Sequence, residues 1–202
     1  NVSTNDILNS IDELQETHFE ICKHINDYDI TCGALCSGYY FISRLRSTPN
    51  AKYKLSEIIL WLETIAIKQT EDIVYWKSKL FNDDRIYFGA THGTASIIIF
   101  LIKMYNMDIL KKLSAELIRR ALNHIIFYKK DISKSKSFFP VAINSSLNEI
   151  LSSKERILLE WCYGDLGILY SFLLTAKALN DLTLYDQAVE MLLHYANKRN
   201  EN

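Results

Sequence analysis

Three times along the chain a glycine opens a run of apolar residues, and this recurrence limits the possible folds more than any other feature. Gly33-Ala34-Leu35-Cys36, Gly93-Thr94-Ala95-Ser96 and Gly164-Asp165-Leu166-Gly167 each set small residues three positions apart. They lead into Tyr39-Tyr40-Phe41-Ile42, Ile97-Ile98-Ile99-Phe100-Leu101-Ile102 and Ile168-Leu169-Tyr170-Ser171-Phe172. The glycines stand 60 and 71 residues apart, a degenerate repeat with room for one helical hairpin per unit. Each unit predicts a short inner helix beginning at the small pair, followed by a longer amphipathic outer helix. Small residues let neighbouring inner helices approach closely, and all-round apolar character means that the inner helix is covered on every side.

The rest of the chain is equally helical in period. Leu55, Ile58, Ile59, Leu62, Ile65 and Ala66 share one helix face, as do Ile109, Leu113, Leu117, Ala121 and Ile125. Two further stripes are Tyr185, Ala188, Val189, Leu192 and Ala196, and Ile7, Ile11, Leu14, Ile21 and Ile25. Only two prolines and six glycines interrupt the sequence, and no run reads as a strand bounded by hairpin turns. The expectation is an all-α fold, a ring or solenoid of helical hairpins. One irregular insert, from about Asp131 to Lys154, carries Phe138-Phe139-Pro140. It reads equally as a functional loop or as a solvated one anchored by that triplet.

With 49% hydrophobic and 23% charged residues the chain is balanced like a soluble globular protein. A net charge of −1, with both signs interspersed, argues against nucleic-acid binding. The apolar runs are too short to span a bilayer. Four cysteines do not make a disulfide framework at this length, so a reducing cytoplasm is the expected compartment.

Chemistry is expected where the inner helices begin. Thr31-Cys32, Thr91-His92 and Cys162-Tyr163 immediately precede the three repeat glycines, so equivalent repeats would bring them to one mouth of the ring. Helix N-termini present unpaired N–H groups and positive potential, which favour thiolates. Trp161-Cys162-Tyr163-Gly164-Asp165-Leu166-Gly167 resembles the W-C-Y-G-x-x-G signature of lanthionine synthetase C-like (LanC-like) cyclases. Gly89-Ala90-Thr91-His92-Gly93 resembles their G-x-x-H-G motif, and Tyr28-Asp29-Ile30-Thr31-Cys32-Gly33 their Y-D-x-x-x-G segment. Phe139-Pro140 sits where many members carry Phe-Pro. The three motifs occur in the family's order, and the likeness runs along essentially the whole chain while covering part of the family's domain.

The resemblance implies an α,α-toroid of nested inner and outer helices, with residues 1–202 forming a single partial domain of about half a ring. It implies addition of a peptide cysteine thiol to a dehydrated serine or threonine residue, giving a thioether ring. Cys162 would be a zinc ligand, His92 the acid/base that protonates the enolate, Asp29 a polar site residue and Tyr163 their neighbour. The implied partner is a peptide bearing cysteine and dehydrated residues, with a further LanC-like segment or another chain completing the ring.

The family's later Cys-His-Gly motif does not occur after Cys162. Leu158 stands where an arginine is common, with Arg156 the nearest candidate, and Ser96 replaces a glycine. A catalytic zinc needs three protein ligands and Cys162 is one. Either the ligands come from a longer protein, or the site is degenerate, or Cys32 or Cys36 substitutes. Whether this chain alone is active stays open. Two other readings remain: a non-catalytic helical-repeat module that binds a peptide or protein, and a glycan-degrading toroid. The latter would want paired carboxylates, for which Asp29 and Asp165 are candidates, although Asp165 reads better as favourable charge at a helix start. Cys22, Cys36, Trp61 and Trp76 read as packing, and His18, His24, His124 and His194 as surface or satisfied core residues.

Overall fold

The computed structural model describes residues 3–77, 84–144, 149–151 and 159–199. Seven helices are described: α1 (Thr4–Ile25), α2 (Ala34–Arg44), α3 (Asn50–Ile65), α4 (Thr94–Asn106), α5 (Lys111–Phe127), α6 (Asp165–Leu179) and α7 (Leu182–Arg199). Helices α2, α4 and α6 are the expected inner helices, and each packs on the outer helix that follows it. The α4–α5 and α6–α7 connections are a few residues long, which makes those pairs antiparallel. Asn26 and Asn180 end α1 and α6 in the left-handed conformation that asparagine tolerates.

The inner row is the core. In α4 every residue from Thr94 to Ile102 is buried. At Gly38 in α2 a Cβ would stand 2.7 Å from the Phe100 ring of α4, so the two helices meet where a side chain is missing. Helix α4 also packs on α6. The faces expected on α3 and α5 are the buried ones.

Two stripes lie elsewhere than expected. On α7 the buried set is Leu184, Ala188, Met191 and Tyr195, while Tyr185 and Ala196 are exposed. The two stripes lie one residue apart, and the choice falls to Tyr195, whose hydroxyl is held by a buried carboxylate described below. On α1, Ile7, Leu14, Ile21 and Ile25 are exposed. That helix docks through buried Phe19 and Cys22 and through polar contacts: Asp12 accepts from Arg44 Nη2 at 2.7 Å and Tyr40 Oη at 2.6 Å, and His18 Nδ1 lies 2.7 Å from Ser37 Oγ. The Arg44 guanidinium holds the Asp12 carboxyl below its ordinary range.

Among the described residues lie five short strands that were not foreseen. β1 (Ile67–Thr70) pairs antiparallel with β2 (Ile73–Tyr75). β3 (Arg85–Tyr87), β4 (Ala142–Asn144) and β5 (Glu149–Leu151) form an antiparallel sheet in that order. Strands of three or four residues cannot display an alternating pattern. The described part of the insert is thus tied by β4 to the strand leading into the His92 turn.

Among the histidines, His124 departs from expectation. It is fully buried, stacked on Phe88 at 5.1 Å and Tyr75 at 4.9 Å, with neither ring nitrogen hydrogen-bonded to any described residue. Burial pushes its pKa from 6.5 down to about 3. Above pH 6.5 the ring is neutral in both folded and unfolded chains. Below it, the unfolded chain takes up a proton that the folded chain refuses, so stability falls as pH drops towards 3. This side chain alone is expected to remove about 2 kcal/mol of stability between pH 7 and pH 5. Urea titrations at both pH values should show that loss in the wild type and not in His124→Phe.

Candidate active site

Each inner helix is entered through the same turn. The N–H of Gly33 donates to Asp29 O at 2.9 Å, that of Gly93 to Gly89 O at 3.1 Å and that of Gly164 to Glu160 O at 3.1 Å. All three glycines are helix N-caps with extended backbone, φ −102°, −125° and −110°. Side-chain-free positions are needed because the turns touch neighbouring backbone. A Cβ on Gly33 would lie 2.3 Å from Asp29 N, and one on Gly93 2.5 Å from the Tyr87 carbonyl.

The second and third turns are in backbone contact. Ala90 N–H donates to Trp161 O at 3.2 Å, a Cβ on Gly89 would stand 1.8 Å from Cys162 O, and one on Gly167 2.1 Å from Trp161 O. The turn carrying His92 is therefore fixed against the turn carrying Cys162 and Tyr163. Gly89→Ala cannot keep that contact. It is expected to cost about 3 kcal/mol, read as a lower urea midpoint, because backbone rather than a flexible side chain must move.

Asp29 and His92, 63 positions apart, form the centre of the candidate site. Asp29 is fully buried and His92 keeps 14% of its side chain exposed. His92 Nδ1 lies 2.5 Å from Asp29 Oδ2. The other carboxylate oxygen accepts from Thr31 N at 2.7 Å and from the Thr31 hydroxyl. Asp29 N donates in turn to Asp27 Oδ1 at 3.0 Å. The carboxylate is thus oriented from both sides, the arrangement that fixes a histidine's tautomer and steadies its imidazolium.

Tyr163 lines the same place, its ring 5.3 Å from the His92 ring and 5.8 Å from Tyr87. Burial, with the nearby Tyr87, Cys162, Asp29 and Glu160 charges adding to it, pushes the Tyr163 phenol up. Cys162 is a half-buried free thiol in the turn just before it. The expected residues Asp29, His92 and Tyr163 are brought together, and Cys162 is adjacent in sequence to the last. Tyr28 and Thr31, which the sequence offered only as members of motifs, and Tyr87, which it did not offer, also line this place.

Asp165 is elsewhere engaged. It is buried at the start of α6, and its carboxylate accepts from Phe138 N at 2.6 Å, Phe139 N at 3.2 Å and the Tyr195 hydroxyl. It serves the Phe138-Phe139 anchor of the insert rather than the charge of its own helix, and its burial raises its pKa against those hydrogen bonds. A paired-carboxylate site with Asp29 gains no support from this arrangement. Arg156 lies outside the described residues.

The metal expectation fares differently. Among the described residues no group of three or more His, Cys, Asp or Glu side chains gathers to hold a metal ion. Cys32 is exposed, with its Sγ 3.9 Å from Asp29 Oδ1, and burial raises its thiol pKa. Cys22 is core, its pKa pushed up to about 11 by burial. Neither Cys32 nor Cys36 completes a set with Cys162. One thiol does not fit a catalytic zinc, which takes three protein ligands.

Comparison with known proteins agrees with the fold and the motifs. The family model described as "Lanthionine synthetase C-like protein" matches residues 2–202. The chain belongs to the lanthionine synthetase C-like family. No curated protein matches the sequence. The solved structure of a protein named "Nisin cyclase" superposes with a TM-score of 0.64 at 18% identity, covering 82% of this chain and 44% of that one. The likeness shows the shared fold, so the two helical layers of this LanC-like chain are an arc of an α,α-toroid. The chain spans less than half the length of that relative. No described helix is long and apolar enough to cross a membrane.

Proposed function

We propose that this LanC-like chain supplies the proton-handling part of a cyclase that adds a peptide cysteine thiol to a dehydroalanine or dehydrobutyrine. The observation that carries the reading is the buried Asp29 carboxylate 2.5 Å from His92 Nδ1 at the mouth of the inner helices. The fold shared with a protein named as a nisin cyclase supports it. In the reaction the thiol gives up its proton to solvent, which restores the one that His92 later delivers, and the sulfur attacks the β-carbon of the alkene. The C–S bond forms as the π electrons move onto the adjacent carbonyl, leaving an enolate. His92, protonated and oriented by Asp29, delivers a proton to the α-carbon, and Tyr163 forms one wall beside it.

Zinc enters this proposal through Cys162 alone, and further ligands would have to come from outside the described residues. About a tenth of a peptide cysteine is already thiolate at pH 7.5, so slow addition does not require the metal. The shortfall of metal donors favours a second reading, a peptide-binding module without chemistry. Four free thiols accord with a reducing cytoplasm, which is part of the proposal.

Loss of alkylatable thiol from a peptide carrying one cysteine and one dehydroalanine separates the two readings. The wild-type chain at pH 7.5 is expected to consume thiol faster than buffer does, and His92→Gln to fall to the buffer rate. Peptide binding with no acceleration would leave the module as the function.

A further inference from the structure

We infer that Tyr28 is a positioning residue for His92, holding the histidine's main chain while its neighbour Asp29 holds the ring. The inference rests on the acid/base reading of His92. Tyr28 is fully buried, and its hydroxyl lies 3.2 Å from His92 O and 3.4 Å from Trp76 O. Both are acceptors, so the hydroxyl's single hydrogen is shared between them. Burial, with Asp29 and Asp27 adding to it, raises the phenol far above its ordinary range, which keeps it a donor.

The peptide group joining His92 to Gly93 is held at both ends. Its carbonyl accepts from Tyr28 and its N–H, that of Gly93, donates to Gly89 O at 3.1 Å. The imidazole is held at a third point by Asp29. A side chain anchored only through its ring can swing with its turn. One whose peptide plane is also fixed presents its second ring nitrogen, Nε2, in one direction, which is what proton delivery to a single carbon requires.

Tyr28 also touches Trp76 O, and the Trp76 indole donates to Leu62 O at 2.8 Å. This provides an internal reference for the core. In ¹⁵N-labelled protein, hydrogen exchange can be followed at the His92 ring N–H, assigned by its absence in His92→Gln, and at the Trp76 indole N–H. Tyr28→Phe is expected to speed exchange of the His92 proton at least tenfold while the Trp76 proton stays within twofold. Acceleration of both, or loss of the folded spectrum, would make Tyr28 an ordinary core residue and overturn the proposal, as would no change at His92. The thiol-consumption assay is independent of this readout. Unaltered turnover in His92→Gln would remove the acid/base reading even with the exchange result intact.

Discussion

Asp29→Asn is expected to slow thiol addition roughly a thousandfold and to lower stability by about 2 kcal/mol. The carboxylate has two accepting oxygens in use: one takes the Thr31 N–H and hydroxyl, the other the His92 ring N–H. An asparagine offers one accepting oxygen and one NH2. If the oxygen stays with Thr31, the amide nitrogen faces His92 and reverses the hydrogen bond, leaving the ring in the other tautomer. If the oxygen stays with His92, the NH2 meets the buried Thr31 N–H. Neither arrangement preserves both the loop and a stabilised imidazolium. Paired kinetic and urea-denaturation measurements check this, and a variant with wild-type turnover would show that Asp29 does not act through His92.

Asp165→Ala should give the largest loss of stability, about 4 kcal/mol, although Asp165 lies outside the proposed chemistry. Its removal strands the buried Phe139 N–H and the Tyr195 O–H, each at roughly 1–3 kcal/mol, and leaves Phe138 N–H only its 3.2 Å bond to Tyr195 Oη. Partial relaxation brings the sum down. Tyr195→Phe removes one partner and leaves the carboxylate two, so it should cost about 1 kcal/mol. The ratio of the two effects, read from urea midpoints, tests whether the insert is anchored on this side chain. Equal small effects would mean that Phe138 and Phe139 hold it by packing alone.

The repeat architecture was legible because its cause is local. A glycine N-cap followed by a strongly apolar helix leaves a mark at Gly33, Gly93 and Gly164 that needs no partner to read. His92 and Tyr163 drew notice for the same reason, each standing next to such a glycine, whereas Asp29 was suggested only by the resemblance to the family's Y-D-x-x-x-G segment. What escaped depends on partners distant in sequence. The exposed stripe of α1 looks like a buried face until Asp12 is seen to meet Arg44 and Tyr40, 32 and 28 positions away. The buried face of α7 is displaced by one residue because Tyr195 answers Asp165, 30 positions away. His124 carries no signal of being stacked on two rings from other elements, and β3 to β5 are too short for any period to appear.

The stereochemical course of the addition in D2O tests the central claim most directly. Attack on dehydroalanine leaves an enolate whose α-carbon becomes a stereocentre only when it takes up a proton. If His92, held by Asp29, delivers it, the thioether made by the wild-type chain should carry one deuterium at that carbon in a single configuration, and His92→Gln should give only the slow background product in both. A wild-type product containing both configurations in equal amounts would mean that solvent supplies the proton, and would contradict the role assigned to the Asp29–His92 pair.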